Sequence, residues 1–299
     1  MMPEWEGASC IPGDASPDAG MRAPHELPYK ESKVKHRKAI VVLVAVLAMT
    51  LGSFSLGNAI QWAWPDGEDH PYVGMLIADI DGRPTWRCTG TLIAPTVFLT
   101  AGHCVYGTNG ARVWFDTDLS DNDEYPYEGE TSVEGTPYTH PDYAGALYFP
   151  NPSDLGVVIL NEPVVDRGFG SLPSIGLAEE LNVAPGSEVM VNVVGYGYQA
   201  VRPEAVDEMM RYQATPMLVE VSGLTWGDWN IHVSSNPGKG GGTGGSCYGD
   251  SGGPAFASTD SNVILGVGSS MINQNCRGTV YYYRIDTEYA QGFIDPFMP

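Results

Sequence analysis

From residue 60 to the C-terminus no long stretch places apolar residues at helical spacing, and this constrains the fold more than any other feature. Short β-rich runs stand in place of helices, at 72–80, 90–94, 97–100, 112–115, 155–160, 188–194, 230–234, 263–267 and 280–285. Clusters of Gly, Pro, Asn and Asp separate them, in a chain that holds 37 Gly and 23 Pro among its 299 residues. Many short strands with turn signals between them describe an antiparallel barrel or sandwich. A parallel sheet needs a crossover of a dozen or more residues between strands, usually a helix, and the sequence supplies none. Residues 287–293 alone have the pattern of a short closing helix. With 43% hydrophobic residues the chain can build a sizeable core.

The first 59 residues read differently. Residues 1–38 form a Pro/Gly/Asp-rich and then basic region, expected to be disordered, with Met21 as an alternative start. Lys30, Lys33, Lys35, Arg37 and Lys38 precede the apolar run 40–51, and Gly57-Asn58-Ala59 offers a small-x-small cleavage site. A positive region, a short apolar core and a small-residue site make a secretory signal over 39–59. The apolar run falls short of the ~20 residues that span a bilayer. An uncleaved signal anchor, with 52–56 extending the helix, is the alternative. The mature body is then expected to be 60–299 and secreted.

The formal net charge of −21 falls on that body, because six basic and six acidic side chains cancel within 1–59. Such a surface repels nucleic acid and anionic membrane, and it favours a soluble monomer. Five Cys occur, none in a CxxC pair, so zinc and thioredoxin-type readings are weak. Cys88, Cys104, Cys247 and Cys276 lie in the body and allow two disulfides in an oxidising compartment.

Three segments carry chemistry: LTAGHC at 99–104, SDLGVVIL at 153–160 and CYGDSGGP at 247–254. A Ser hydroxyl is a poor nucleophile until a neighbouring base takes its proton, so an isolated GDSG means little without a His. Here the motifs run in the order His, Asp, Ser, and with the matching Cys they resemble the trypsin/chymotrypsin family of serine endopeptidases over essentially 60–299. The resemblance implies two antiparallel six-stranded β-barrels with a short C-terminal helix and the site between them. It implies Ser251 as nucleophile, His103 as general base and Asp154 as its orienting carboxylate. The N–H groups of Gly249 and Ser251 would form the oxyanion hole, and Asp250 would pair with the α-amino group of Ile60 after signal cleavage. Residues 60–63 read Ile-Gln-Trp-Ala where the family has Ile-Val-Gly-Gly. The resemblance also pairs Cys88 with Cys104 and Cys247 with Cys276, and likens Gly195-Tyr196-Gly197 to the turn beside the oxyanion loop. It sets Gly245 at the base of the specificity pocket, where the missing charge argues against cleavage after Lys or Arg. A neutral, apolar or aromatic preference follows, with Val280 or Tyr281 narrowing the pocket.

Other candidates are weaker. His140 and His70 sit in Pro-flanked turns, and His232 alternates within a strand, so each reads as structural. The acidic run 116–130 fails the EF-hand pattern because Asp121 stands where Gly is required. It reads either as a solvated acidic loop or as a calcium loop at Asp116, Asp118, Asp121 and Glu124. The Gly-rich stretch 238–245 lacks the Gly-Lys-Ser/Thr ending of a phosphate loop. The sequence therefore describes a secreted endopeptidase acting on protein or peptide substrates, with no required cofactor and no metal in its catalytic site. A catalytically silent homologue serving as a binding module is the rival reading, and the same protease held by its signal anchor is another. An α/β-hydrolase shares the Gly-x-Ser-x-Gly string, but the His, Asp, Ser order and the lack of helices argue against it.

Overall fold

A computed structural model describes residues 62–127, 129–148, 151–181, 188–222, 227–238 and 242–299. The expected signal segment and Ile60 lie outside the described residues. After the two-residue strand β1 (Trp64–Pro65), six strands form a closed barrel. They are β2 (Val73–Ile80), β3 (Arg83–Ala94), β4 (Val97–Thr100), β5 (Gly110–Trp114), β6 (Ser132–Thr139) and β7 (Gly156–Leu160). The ring runs β2-β3-β4-β7-β6-β5. Its register starts at Asp81-Gly82, the two-residue connection between Ile80 and Arg83, where both residues have positive φ (54° and 73°). An Asp-Gly pair favours that hairpin turn because its twist matches the flanking strands. Leu76, Leu92, Phe98, Val113 and Val157 then meet inside the barrel, all at 1% exposure or less.

The second sheet holds β8 (Asn192–Gly195), β9 (Tyr212–Ala214), β10 (Leu218–Glu220), β11 (Asn230–Ser234), β12 (Pro254–Phe256), β13 (Ile264–Met271) and β14 (Thr279–Arg284). Its order is β1-β9-β8-β12-β13-β14-β11-β10. β9 and β10 are two halves of one strand parted at Pro216, which has no N–H to give to a ladder. The Val191 N–H donates to the Pro216 carbonyl at 3.0 Å, and the Leu218 N–H to Val189 at 2.8 Å. Counted as one bent strand, 212–220 joins β8 to β11 and completes a ring of six, with β1 beside it. The two-barrel, all-β architecture expected from the sequence is thus the one observed.

Helices are few among the described residues. α1 (Gly102–Val105) follows β4, and α2 (Leu177–Glu180) precedes the second sheet. α3 (Glu288–Ile294) closes the chain with a 3₁₀ turn, Asp295–Phe297. The Thr287 hydroxyl caps α3 by accepting the Ala290 N–H at 3.2 Å, the usual work of an N-cap Thr. His140 stacks against Tyr289 and Phe293 of this helix, with ring centroids 4.7 and 4.9 Å away. That packing fixes the end of the chain to the first barrel. One apolar cluster also runs from the first barrel into the second through Phe256, Ile264 and Val267, so the barrels share a core.

Candidate active site

Each barrel brings part of the site. Phe98 and Leu99 of β4 are buried, and the chain emerging from that strand turns at once into α1, which carries His103. Asp154 stands just before β7, and Ser251 sits in the turn leading into β12. Asp154 is fully buried and accepts three hydrogen bonds: from the His103 backbone N–H at 2.7 Å, from His103 Nδ1 at 2.9 Å, and from the Ser269 hydroxyl at 2.7 Å. A carboxylate so held fixes the imidazole ring and its tautomer. The His103 side chain keeps 27% exposure, enough to reach a substrate. Burial alone would lower the His103 pKa, but the charge and hydrogen bond of Asp154 outweigh it and raise it above the ordinary value.

Ser153, next to Asp154, holds a positive φ of 48°, a conformation that costs a non-Gly residue free energy. It is held there by Asn151 Oδ1, which accepts its N–H at 2.9 Å, and by the Tyr289 hydroxyl 2.9 Å from its own. The twist turns Asp154 inward.

The Ser251 turn is laced to the first barrel by Thr89 of β3. The Thr89 N–H donates to the Ser251 carbonyl and its hydroxyl to the Gly249 carbonyl, both at 2.8 Å. The same hydroxyl accepts the Tyr196 N–H at 3.2 Å. Gly249 adopts φ +96°, which a side chain would strain. Among the described residues neither the Gly249 nor the Ser251 N–H donates to a protein acceptor. Ser251 Oγ and His103 Nε2 form no hydrogen bond in this structure. Such bonds are often long without substrate and tighten when it binds.

Asp250 points away from His103. Its carboxylate is buried and accepts the Gly197 N–H at 2.7 Å and the Cys247 N–H at 2.8 Å. Burial pushes its pKa up to about 7, against the lowering effect of those donors and of Arg87. Tyr196, between Gly195 and Gly197, reaches a buried Arg211 whose Nη1 donates to its hydroxyl at 3.1 Å. Arg211 in turn pairs with buried Asp66 at 2.8 Å and donates to the carbonyls of Val73 and Phe115. This guanidinium thus joins the N-terminal segment and both barrels.

Both disulfides form as the resemblance implied, Cys88–Cys104 beside His103 and Cys247–Cys276 beside Ser251. Among the described residues, only Cys88, His103 and Cys104 bring three ligand-type atoms within 4.8 Å of one another, and the disulfide occupies both sulfurs. The carboxylates of Asp116, Asp118, Asp121 and Glu124 do not converge in that way. Asp118 accepts the Ser120 N–H, and Glu124 the Glu130 N–H, as local loop contacts.

The cavity beside Ser251 is about 30 Å³, lined by Ser246, Ser269, Met271 and Val280 among others. Gly245 is not among the residues that line it. A Cβ there would lie 2.4 Å from Ser235 Oγ, so Gly245 is set by packing against β11, and Ser246 presents the polar atom instead. The Ser246 hydroxyl is tied to the Tyr282 hydroxyl. Val280 narrows the cavity as the sequence suggested, while Tyr281 pairs its ring with His232, centroids 4.4 Å apart. The remaining histidines are structural: His70 Nδ1 meets Asp66 at 2.5 Å, and His232 Nδ1 meets Glu220 at 2.9 Å.

Sequence reading missed Thr89, Ser269, Ser153 and Arg211. Thr89 directly follows Cys88 and Ser269 lies in the segment read as the pocket wall, so position hinted at both. Nothing local marks Arg211 as buried.

Two β-barrels that bring a half-buried His103 onto a buried Asp154, with Ser251 in the turn before β12, define the class of serine peptidase built on this architecture. The family model for trypsin matches residues 66–291, and the chain belongs to the trypsin family of serine endopeptidases. A trypsin of Saccharopolyspora erythraea is 25% identical over 205 residues, covering 68% of this chain and 82% of that protein. Brachyurin of Leptuca pugilator is 28% identical over 203 residues, covering 66% and 78%. Among solved structures, HL collagenase superposes with a TM-score of 0.58 at 22% identity, covering 76% of this chain and 94% of its own. Human heparin binding protein does so with a TM-score of 0.53 at 16% identity, covering 79% and 94%. At these identities the two structures speak for the fold alone.

Proposed function

We propose that the protein is a secreted endopeptidase that cleaves after small, uncharged residues through an acyl-enzyme on Ser251. The observation that carries the mechanism is Asp154, gripped by His103 and Ser269, opposite a Ser251 turn whose two N–H groups are unspent. His103 takes the Ser251 proton as Oγ attacks the scissile carbonyl, then gives it to the leaving amine. Asp154 stabilises the imidazolium. The Gly249 and Ser251 N–H groups receive the oxyanion, and one such donor is worth about 2.7–4 kcal/mol. Water then cleaves the acyl-enzyme by the reverse sequence.

The 30 Å³ cavity supports the substrate preference, since Met271 and Val280 leave room for a methyl or little more and no room for an aromatic ring. No charge lines it to receive Lys or Arg except Asp250, whose oxygens are taken by Gly197 and Cys247. Ile60, freed by signal cleavage, is the cation we assign to Asp250, whose buried carboxylate accepts the backbone N–H groups of Gly197 and Cys247 among the described residues.

The test is intact mass of the exported protein before and after a fluorophosphonate, together with esters differing only at the acyl residue. A chain beginning at Ile60 that gains one adduct, lost in Ser251→Ala, and that hydrolyses the Ala ester faster than the Phe or Arg ester is the expected result. An unlabelled, correctly oxidised chain would mean a silent homologue. Equal or faster turnover of the Phe ester would overturn the small-residue preference.

A further inference from the structure

The acyl-side cavity is not the roomiest space beside the Ser251 turn. On the far side of Gly249 lies a groove of about 450 Å³, fifteen times the volume beside Ser251. Its walls hold four aromatic rings, Trp86, Tyr125, Tyr198 and Tyr248, and one ion pair, Arg87 with Asp207 at 3.0 Å. We infer that this groove selects a large, neutral, aromatic side chain within the first two residues after the cleaved bond, and that it contributes more to selectivity than the acyl-side cavity. The inference rests on the acyl-enzyme reading above.

The position follows from the direction of the chemistry. His103 hands its proton to the leaving amine, so the leaving segment departs past His103. The groove lies on that side: the Trp86 indole N–H donates to the carbonyl of Cys104, the neighbour of His103, at 2.7 Å. It also touches the oxyanion hole, because a Cβ on Gly249 would lie 3.3 Å from Arg87 Nε. A substrate whose carbonyl oxygen sits at Gly249 must therefore lay its next residues across these rings.

The occupant follows from the lining. Arg87 is mostly buried, paired with Asp207, and stacked 5.3 Å from the centre of the Tyr198 ring. Its charge is answered within the wall, so the groove offers no free cation for an acidic side chain. Asp207 is likewise engaged by Arg87, so the groove offers no free anion for Lys or Arg. What remains is an aromatic surface without net charge, and aromatic rings bury large area there in edge-to-face or offset contact. Tyr248, 43% exposed at the rim, is free to close over such a ring.

Acyl transfer reads this side of the site by itself. The acyl-enzyme is formed from an acyl-Ala ester and offered amines of the form Xaa-Ala-amide or Ala-Xaa-amide. The amine nitrogen forms the new amide as the bond to Ser251 Oγ breaks, and its proton passes through His103 to Oγ. Partition between peptide product and hydrolysis is measured for Xaa = Phe, Ala, Arg and Glu. We expect Phe to exceed each of the others by about tenfold in one of the two series. That preference should fall to within about threefold in Tyr248→Ala and in Tyr198→Ala. The ratio is internal to each variant, so a general loss of activity does not move it, and exposed Tyr248 can be replaced without disturbing the core. An acyl-enzyme with no Phe preference, or with Arg or Glu preferred, overturns the inference and leaves the endopeptidase reading intact. A preference unchanged in both variants overturns the groove as its source. If no acyl-enzyme forms, both readings fall together.

Discussion

At the scale of single residues, the site depends on a competition at His103. Burial works to keep the imidazole neutral, and Asp154 works to charge it, and Asp154 prevails. In the mechanism we propose, His103 must be neutral to accept the Ser251 proton, so the acid limb of kcat/KM should have its midpoint above 6.5, the ordinary value. In Asp154→Asn the raising influence is gone and burial remains, so the midpoint should move below that of the parent. The rate should also drop by about 10⁴, because an amide cannot hold the required tautomer. A pH–rate profile of both proteins checks this, and an unchanged midpoint would remove Asp154 from the role given to it. The same shift has a consequence for folding. The protonated pair adds stability that is whole below pH 6.5 and is lost as pH rises through the higher folded-state pKa.

At the scale of elements, Arg211 holds the assembly together. It sits immediately before β9, fully buried, and ties the segment at Asp66 to carbonyls of the first barrel and to the Tyr196 hydroxyl. Removing one member of a buried pair leaves an unanswered charge, which typically costs about 3–5 kcal/mol. Arg211→Met should therefore lower stability by about that amount, and Arg211→Met with Asp66→Leu should recover part of it because no charge is left buried. Guanidinium unfolding of the two variants measures the difference, and a loss under about 1 kcal/mol for the single change would contradict the assignment. The sequence made this network invisible: an Arg before Tyr-Gln-Ala looks like any strand-edge cation, and its charged partner Asp66 lies 145 residues away. It did make legible what is local. The apolar runs of β4 and β7 and the short closing helix at 287–293 could be read from neighbours in the chain. β6 was missed because Gly135 and Pro137 interrupt it and only Gly135 of its eight residues is buried, so little alternation survives. β9 and β10 were missed because Pro216 cuts one strand into two short pieces. The motifs around His103, Asp154 and Ser251 were legible because close approach and turn geometry fix their residue types, whereas nothing local shows that Gly245 is packed against Ser235.

At the scale of the whole molecule, the formal charge of −21 acts on encounter rather than on the chemistry at Ser251. The screening length falls from about 30 Å at 0.01 M salt to about 3 Å at 1 M, so this field reaches well beyond the surface only in dilute salt. A lysine-rich protein substrate is drawn in and an acidic one is turned away, and both effects vanish together as salt is added. We therefore expect kcat/KM for a basic protein substrate to fall by about tenfold between 0.01 and 0.5 M salt, and that for an acidic one to rise. A neutral acyl-Ala ester, carrying no charge for the field to act on, should hold nearly constant over the same range. The neutral ester also separates steering from any direct action of salt on the site, since such an action would move all three substrates alike. A common slope for the three would mean that the acidic surface plays no part in substrate capture, and that selection rests wholly on the small cavity beside Ser251 and the aromatic groove beyond Gly249.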